Sequence, residues 1–295
     1  MSLALGTSIP RTGRRWRFAV WTFRGSASGS LGLLLVTGFL LLAAFGPWLA
    51  PYPADATGAM HLAIRLQAPS AAHGFGTDEM GCDILSRVIV GTRTSLWVGL
   101  AVTGIAALIG VPLGIAAGYL GGWPRMVIMR VTDVFLAVPG LVLALAMVAA
   151  LGPGVLHAVV ALSLVWWPGY VRLVEAKALT LRHEPYVEAA RTMGAGHVWV
   201  LVRHILPNCI SVLTVKASMD MGLAILAVAS LGFIGLGAKP PAPEWGAMVS
   251  VARTYMPDWW WYSFFPGLAI FLTVLGFNLL GDALRDLADP RSARA

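Results

Sequence analysis

The stretch YVEAARTMGAGHVWVLVRHILPN, Tyr186–Asn208, is a polar and basic island between long apolar runs, and we call it the arm. Pro185 precedes it. Proline at a first helical position already has a helical φ angle, and the N–H that it lacks would go unpaired there. Gly194 is suited to end this helix in the left-handed conformation. The pattern predicts a short helix over Pro185–Met193, and the small side chains of Ala189–Ala190 would let another surface approach it closely.

The composition excludes a soluble globular protein. Of 295 residues, 58% are hydrophobic and 12% are charged, and the mean hydropathy is +0.76. A helix needs about 20 mostly apolar residues to cross a hydrocarbon core of about 30 Å. Six segments meet or approach this length: Leu31–Leu49, Ser95–Leu120, Met126–Ala150, Val155–Val174, Leu213–Leu236 and Phe264–Leu280. We therefore expect an all-α membrane protein with six transmembrane helices.

Lysine and arginine indicate the orientation, because cytoplasmic loops retain them. Five arginines and no acidic residue precede the first apolar run, which places the N-terminus in the cytoplasm, and six spans return the C-terminus to the same side. Fifteen of the 21 Lys and Arg residues then fall inside: Arg11, Arg14, Arg15, Arg17, Arg24, Arg125, Arg130, Arg172, Lys177, Arg182, Arg191, Arg203, Arg285, Arg291 and Arg294. The arm is therefore predicted to be cytoplasmic. The net charge of +7 favours anionic lipid over nucleic acid as a partner.

The second span carries small residues at every fourth position: Ala106, Gly110, Gly114 and Gly118. Such a stripe lets two membrane helices approach closely, and close van der Waals contact holds helix bundles together in lipid. We therefore expect another helix to pack along this face. Prolines in the second, third and fourth spans, Pro112, Pro139 and Pro168, each remove a backbone hydrogen bond and permit a bend.

Charged groups within the predicted spans are candidates for function. Asp220 lies about 10 Å into the fifth span, at 1.5 Å per residue, and Lys216 is one turn away from it. Asp133 in the third span is expected to pair with Arg130, three residues before it. The fourth span adds three aromatic candidates for a translocation path, with helix packing or lipid contact as the alternative: Trp166, Trp167 and Tyr170.

The arm resembles the "EAA loop" of ATP-binding-cassette importer permeases, in which Glu-Ala-Ala is followed by Gly and, further on, by Ile-Leu-Pro. The matching residues are Glu188, Ala189, Ala190, Gly194, Ile205, Leu206 and Pro207. The resemblance implies that this loop, at about residues 176–208, seats its helix in a groove of a separate ATPase subunit. The alternative is an amphipathic helix at the membrane surface that has no protein partner.

Three further motifs resemble the dipeptide, oligopeptide and nickel branch of these permeases. They are the Gly76–Leu96 region with GTD, LSR and GTR, the Leu231–Met248 region with LGFIGLG and EWGAM, and the closing Phe277–Pro290. The resemblance spans about Ser30–Pro290 and implies the type I importer fold. Cys82 departs from the pattern, because the family usually has arginine at that position.

The resemblance also implies a domain organisation. Residues 1–30 form a basic cytoplasmic segment, 31–93 a first transmembrane helix with a periplasmic segment, 94–290 a five-helix core, and 291–295 a cytoplasmic tail. It implies a second, different permease, two ATPase subunits and an external binding protein as partners in the bacterial inner membrane. The chain contains no Gly-x-x-x-x-Gly-Lys-Ser/Thr loop, so ATP and Mg²⁺ are expected in the ATPases, with no cofactor or catalysis in this chain.

The cargo stays open between small peptides and nickel or another small solute. A nickel path is expected to cluster histidine or cysteine, and His157 stands alone near an outer span end, which favours peptides. A self-contained secondary transporter or channel is the alternative from another class. It would leave the arm without a purpose, and a proton-driven transporter would need a chain of intramembrane acids where only Asp220 is available.

Overall fold

Helices form every long element of the chain. The computed structural model describes residues 27–238 and 241–288, so most of the predicted N-terminal segment and the whole predicted tail lie outside the described residues. The long helices are α1 (Ala27–Leu49), α2 (Ile84–Leu120), α3 (Gly122–Ala137), α4 (Gly140–Leu151), α5 (Val155–Leu181), α8 (Leu206–Phe233) and α10 (Trp260–Ala288). The short helices are α6 (Pro185–Thr192), α7 (His197–Val200) and α9 (Trp245–Ala252).

Five helices are long and apolar enough to cross a membrane, and the bent pair α3–α4 makes a sixth crossing if it counts as one span. The fifth of the six predicted spans is longer than expected. α7, a π-helical turn at Leu201–Ile205 and α8 run on as one helix from residue 197 to residue 233. The predicted all-α, six-span fold is thus confirmed.

The third predicted span, Met126–Ala150, is broken rather than continuous. α3 and α4 meet at an angle of 85° around Pro139. Proline lacks the N–H that would continue the helix, and it forces the residue before it out of the helical region. Val138 is accordingly extended, with φ −96° and ψ 133°. α2 and α5 instead continue through Pro112 and Pro168.

The predicted small-residue stripe is the contact between α2 and α5. A Cβ atom added at Gly110, Gly114 or Gly118 would lie 2.5, 2.8 or 2.5 Å from the carbonyl oxygen of Trp167, Val171 or Glu175, respectively. Ala106 at the start of the stripe is fully buried. The two backbones are therefore as close as hydrogen side chains permit, and the predicted helix contact is confirmed.

Similar close approaches attach α10 to its neighbours. A Cβ atom at Gly32 of α1 would lie 2.7 Å from the backbone nitrogen of Leu280. On the other side of α10, the Ser218 hydroxyl of α8 donates a hydrogen bond of 3.0 Å to the carbonyl of Phe277. α10 thus lies between α1 and α8.

Residues 50–83, which we call the cover segment, lie over the first turn of α2. Asp83 is the N-cap of this helix, since its Oδ2 accepts hydrogen bonds from the Ser86 backbone N–H at 2.8 Å and from the Ser86 hydroxyl at 2.7 Å. Its other carboxylate oxygen pairs with Nδ1 of His73 at 3.1 Å. Asp83 therefore fixes the start of α2 to the cover segment.

Arg87 in the first turn of α2 lies inside the protein. Its guanidinium forms an ion pair with buried Asp78 and also donates to the Pro241 carbonyl at 3.3 Å. The arginine is buried because an acidic partner from the cover segment reaches it. This pair ties the cover segment both to α2 and to the loop before α9.

Cys82 is a buried, neutral thiol in the cover segment. Its Sγ donates a hydrogen bond of 2.9 Å to the Ala59 carbonyl. Loss of solvation is the main cause that raises the pKa of this thiol to about 12, and the negative charge of the nearby Asp78 carboxylate acts in the same direction. The other cysteine, Cys209, is buried near the opposite end of the bundle, and neither forms a disulfide.

Replacing Gly110 by alanine is expected to destabilise the subunit, because its Cβ would meet a backbone oxygen of α5 that cannot move alone. We expect a loss of about 2 kcal/mol, or roughly 5 °C in Tm. The measurement is the temperature at which half the protein leaves the monodisperse peak in size-exclusion chromatography. Gly104→Ala is the matched control, since nothing lies within 4 Å of its Cβ position. Equal Tm values for the two variants would contradict the contact.

Cys82 is expected to resist maleimide in the folded protein at pH 8. At a pKa of about 12, roughly one thiol in ten thousand is ionised at that pH, and the side chain is also buried. The assay uses a Cys209→Ser background and compares labelling before and after denaturation in SDS. Rapid labelling of the folded protein would show that the cover segment does not enclose this residue.

Candidate functional site

The arm contains the helix that the sequence predicts. α6 starts at Pro185 after the extended residue Glu184 and ends at Thr192. Gly194 has a left-handed φ of +87°, and its N–H donates to the Arg191 carbonyl at 3.0 Å. The next N–H, of residue 195, reaches back to the carbonyl of residue 190 at 3.0 Å. These two bonds form a Schellman motif, so Gly194 closes α6 by the expected mechanism.

One face of α6 is seated on the ends of three spanning helices. Val187 is fully buried and Ala190 nearly so. Val187 belongs to a cluster of buried side chains that we call the arm core: Ile115, Tyr119, Val174, Ala178, Leu181, Val187, Val200, Ile205 and Cys209. Its members come from α2, α5, α6, α7 and the start of α8. A displacement of α6 therefore presses on α2, α5 and α8 together.

The motif residues divide between two roles. Glu188 and Ala189 are exposed, whereas Ala190 is buried within the subunit, so only one of the two alanines offers a surface for close approach. Ile205 is fully buried in the arm core, and Pro207 is exposed in the first turn of α8. The motif thus supplies both part of an exposed surface and the base beneath it.

The π-helical turn at Leu201–Ile205 lies immediately before the Leu206–Pro207 pair. The N–H of Leu206 donates to the carbonyl of Leu201, five residues back. A proline ring crowds the carbonyl four residues before it, and a wider turn relieves that crowding. The Ile-Leu-Pro part of the motif therefore marks a local change in helical register where the arm joins α8.

Large apolar side chains stand exposed on the arm, which also carries the exposed Glu188. Met193 is 82% exposed and Val198 is 74% exposed, and Trp199 and Val202 are more than half exposed. We call these five residues the docking surface. Exposed apolar groups beside polar ones typically mark an interaction site. The family motif does not include these four apolar residues, although residues 198, 199 and 202 share one helix face and could be found by that spacing.

Lys216 and Asp220 form an ion pair within α8. The Lys216 Nζ lies 3.0 and 3.2 Å from the two carboxylate oxygens and 5.0 Å from the ring centre of Tyr170 on α5. A Cβ atom at Gly169 would lie 3.4 Å from the same Nζ, so this glycine leaves room for the lysine. The structure therefore brings Tyr170 and Asp220, predicted separately, to one polar cluster between α5 and α8.

The aromatic residues of α5 differ in their surroundings. Trp167 and Tyr170 are buried, and the Trp167 ring meets Phe135 of α3 edge-to-face at 5.3 Å. Trp166 is half-buried. In the described conformation, Trp167 and Tyr170 pack between helices, and Trp166 is the more accessible of the three.

Two ion pairs hold α3 against α5. Arg125 Nε donates to Glu175 Oε1 at 2.6 Å, and Arg172 pairs with Asp133. The expected pair between Asp133 and Arg130 is therefore wrong. A partner on a neighbouring helix, 39 residues away, takes the place of the local one.

Comparison with known proteins identifies the family. Residues 110–294 match the family described as the inner membrane component of binding-protein-dependent transport systems. The chain belongs to this family. Residues 14–69 match the N-terminal transmembrane domain of oligopeptide transport permease C. The permease therefore has the type I importer fold and is a multi-pass membrane protein.

Several relatives match the permease over nearly its whole length. A probable D,D-dipeptide transport system permease protein of Escherichia coli (strain K12) is 47% identical, over 99% of this chain and 98% of the relative. A dipeptide transport system permease protein of Alkalihalophilus pseudofirmus is 44% identical, over 94% and 90%. A glutathione transport system permease protein of Pectobacterium atrosepticum is also 44% identical, over 94% and 90%. The resemblance that the motifs indicated is confirmed.

Gly194→Ala is expected to loosen α6. An L-residue at φ +87° costs about 1 kcal/mol, which corresponds to roughly fivefold faster local opening. Hydrogen exchange of the amides in the last turn of α6 and at Ala195 measures this opening. Gly196→Ala is the matched control, because both positions have open space around Cβ but Gly196 has φ −66°. Equal exchange in the two variants would show that the left-handed turn does not hold the helix.

Proposed function

We propose that this permease forms, with a second homologous permease, the translocation path of an ATP-driven importer of dipeptides and oligopeptides. The exposed docking surface, on an arm whose other face is packed against the ends of the spanning helices, carries the proposal. A surface of this kind suits a partner that pushes and pulls on the helices. The transport functions that the relatives' names give, for dipeptides and for glutathione, support peptides as the cargo.

The docking surface receives an ATPase subunit in this proposal. Glu188 belongs to it, and Ala189 and Gly194 are exposed on the same arm. Ala190, Ile205 and Leu206 form the support beneath, and Pro207 is exposed at the start of α8. Two ATPase subunits bind ATP and Mg²⁺ and hydrolyse the nucleotide. The permease is then non-catalytic, and movement of α6 opens and closes the path because the arm core joins it to α2, α5 and α8.

The proposed ATPase partner also determines the orientation of the permease in the membrane. The arm and both termini face the cytoplasm, in agreement with the excess of Lys and Arg in those segments. The cover segment and α9 then face the periplasm across the bacterial inner membrane, where an external binding protein delivers cargo. In this proposal residues 1–30 are the basic cytoplasmic N-terminal segment and residues 291–295 the cytoplasmic tail.

The path runs beside the polar cluster of α5 and α8. Trp166 is accessible one turn before Tyr170, and the Lys216–Asp220 pair supplies charge at the same depth. Trp167 contributes by positioning α5 against α3. An ion pair that stays together in a low-dielectric region suits a polar lining, because breaking it would leave an uncompensated charge.

Specific contacts argue against the two alternatives, a nickel path and a self-contained secondary transporter. His157, the candidate for a nickel path, forms a hydrogen bond of 2.8 Å between its Nδ1 and the backbone carbonyl of Gly152, which uses one of its two nitrogens. A proton-driven secondary transporter would need a free intramembrane acid, and Asp220 is paired with Lys216. Either alternative also leaves the docking surface without a partner.

Met193→Asp is expected to abolish ATPase association without harming the subunit. The side chain is 82% exposed in the permease, so the change leaves the fold intact, but it places an unpaired charge in the interface. The assay is co-purification in detergent of the ATPases with the two permeases, and we expect at least about a tenfold loss. Met60→Asp, on the cover segment and 64% exposed, is the matched control.

Two results would overturn the proposal. Retention of the ATPases by the Met193→Asp variant, with transport unchanged, would show that the docking surface lies elsewhere. Uptake of peptide into liposomes by the purified chain alone would show a self-contained transporter, with Asp220 as the residue to pursue.

A further inference from the structure

Tyr119 in the last turn of α2 contacts two separate parts of the arm. Its hydroxyl forms a hydrogen bond of 3.2 Å with Nδ1 of His197 on α7. Its ring centre lies 6.0 Å from the guanidinium carbon of Arg191 on α6. Tyr119 itself is buried. One side chain of a spanning helix therefore holds both helices of the arm.

Most buried contacts between the arm and the spanning helices are apolar, and one further hydrogen bond, of 3.4 Å from the Asn208 side-chain amide to the Tyr186 hydroxyl, joins α6 to the start of α8. Val187, Val200 and Ile205 meet the arm core through apolar surfaces. Such surfaces oppose separation, because it would expose apolar side chains, but they fix the direction of the contact weakly because apolar contact is non-directional. A hydrogen bond prefers a narrow range of distance and angle, so it also resists separation and sliding.

α2 is the helix best placed to transmit a force that draws the arm away from the spanning helices. Gly121, with φ +67°, ends it two residues after Tyr119. From Gly110 to Gly118 its backbone touches that of α5, so the two helices move as one body. α2 also reaches the cover segment through the Asp83 cap at its other end. A force applied at Tyr119 thus reaches both ends of the bundle.

We propose that Tyr119 is a positioning residue for energy coupling, which transmits the return stroke of the arm to the α2–α5 pair through its hydrogen bond to His197. The apolar arm core resists the same separation, and the Tyr119 hydrogen bond adds a directional contact that keeps the arm in register with α2 during that stroke. The inference rests on the proposed coupling role of the arm. It adds a residue outside the Glu-Ala-Ala and Ile-Leu-Pro motifs.

The test compares Tyr119→Phe with wild type in the complete complex of both permeases, the ATPases and the binding protein in proteoliposomes. The variant keeps the ring over Arg191 and loses only the hydroxyl. With an enzymatic casein digest as the peptide source, we expect peptide taken up per ATP hydrolysed to fall about threefold, a magnitude typical of one lost hydrogen bond. ATPase co-purification and Tm stay at the wild-type values. Tyr255→Phe, at the opposite end, is the matched control.

His197 variants separate coupling from simple stability. His197→Phe lowers the uptake ratio by the same factor, and the double variant Tyr119→Phe/His197→Phe lowers it no further, because both changes remove one bond. His197→Gln retains a hydrogen-bonding side chain and restores most of the ratio. A merely structural role would instead lower Tm and ATPase retention in step with uptake.

The outcomes distinguish this inference from the proposed function. If Met193→Asp loses the ATPases while Tyr119→Phe keeps the wild-type uptake ratio, the arm couples but Tyr119 does not position it. Additive losses in the double variant would likewise exclude the positioning role. If wild type takes up no peptide, the proposed function fails and the role of Tyr119 fails with it.

Discussion

The backbone contact between α2 and α5 is the constraint on which the other parts of the structure depend. Three glycines of α2 bring the helix within 2.5–2.8 Å, measured from their missing Cβ atoms, of α5 carbonyl oxygens. α5 then fixes α3 through two ion pairs, and it places Gly169 and Tyr170 beside Lys216 of α8. Its last turns, with those of α2, form the seat of the arm. Dispersion forces at such short range are the main attraction available between helices in lipid.

The sequence predicts the features that arise from local chemistry. Hydropathy indicates the spans, the four-residue spacing of glycine indicates the α2 contact, and Pro185 with Gly194 indicates α6. The break at Pro139 was harder to predict, because Pro112 and Pro168 have the same chemistry and interrupt nothing. α2 and α5 support each other along their length, which keeps both helices continuous across their prolines, whereas α3 is attached to α5 by two ion pairs and the Phe135–Trp167 ring contact. The ion pair of Asp133 could not be predicted from local spacing either, since its partner Arg172 lies on another helix.

Motif membership and exposure are separate properties in the arm. Ala190 and Ile205 belong to the family pattern but are buried within the subunit, while Met193 and Val198 lie outside it and are the most exposed. A motif records which residue types recur together and not which of them face a partner. The three-dimensional arrangement buries Ala190 and Ile205 and leaves Met193 and Val198 exposed. The exposure of Met193 therefore follows from the packing of the arm and not from the motif.

The 85° break between α3 and α4 has a consequence for how the permease exists in the cell. The last carbonyls of α3 have no partner within their own helix, and hydrocarbon offers none. Val138 at the break is 40% exposed among the described residues, so the bend lies at the surface of the subunit. In the proposed importer, a second permease packed at this bend would cover the polar backbone. A copy without that companion would keep this patch uncovered.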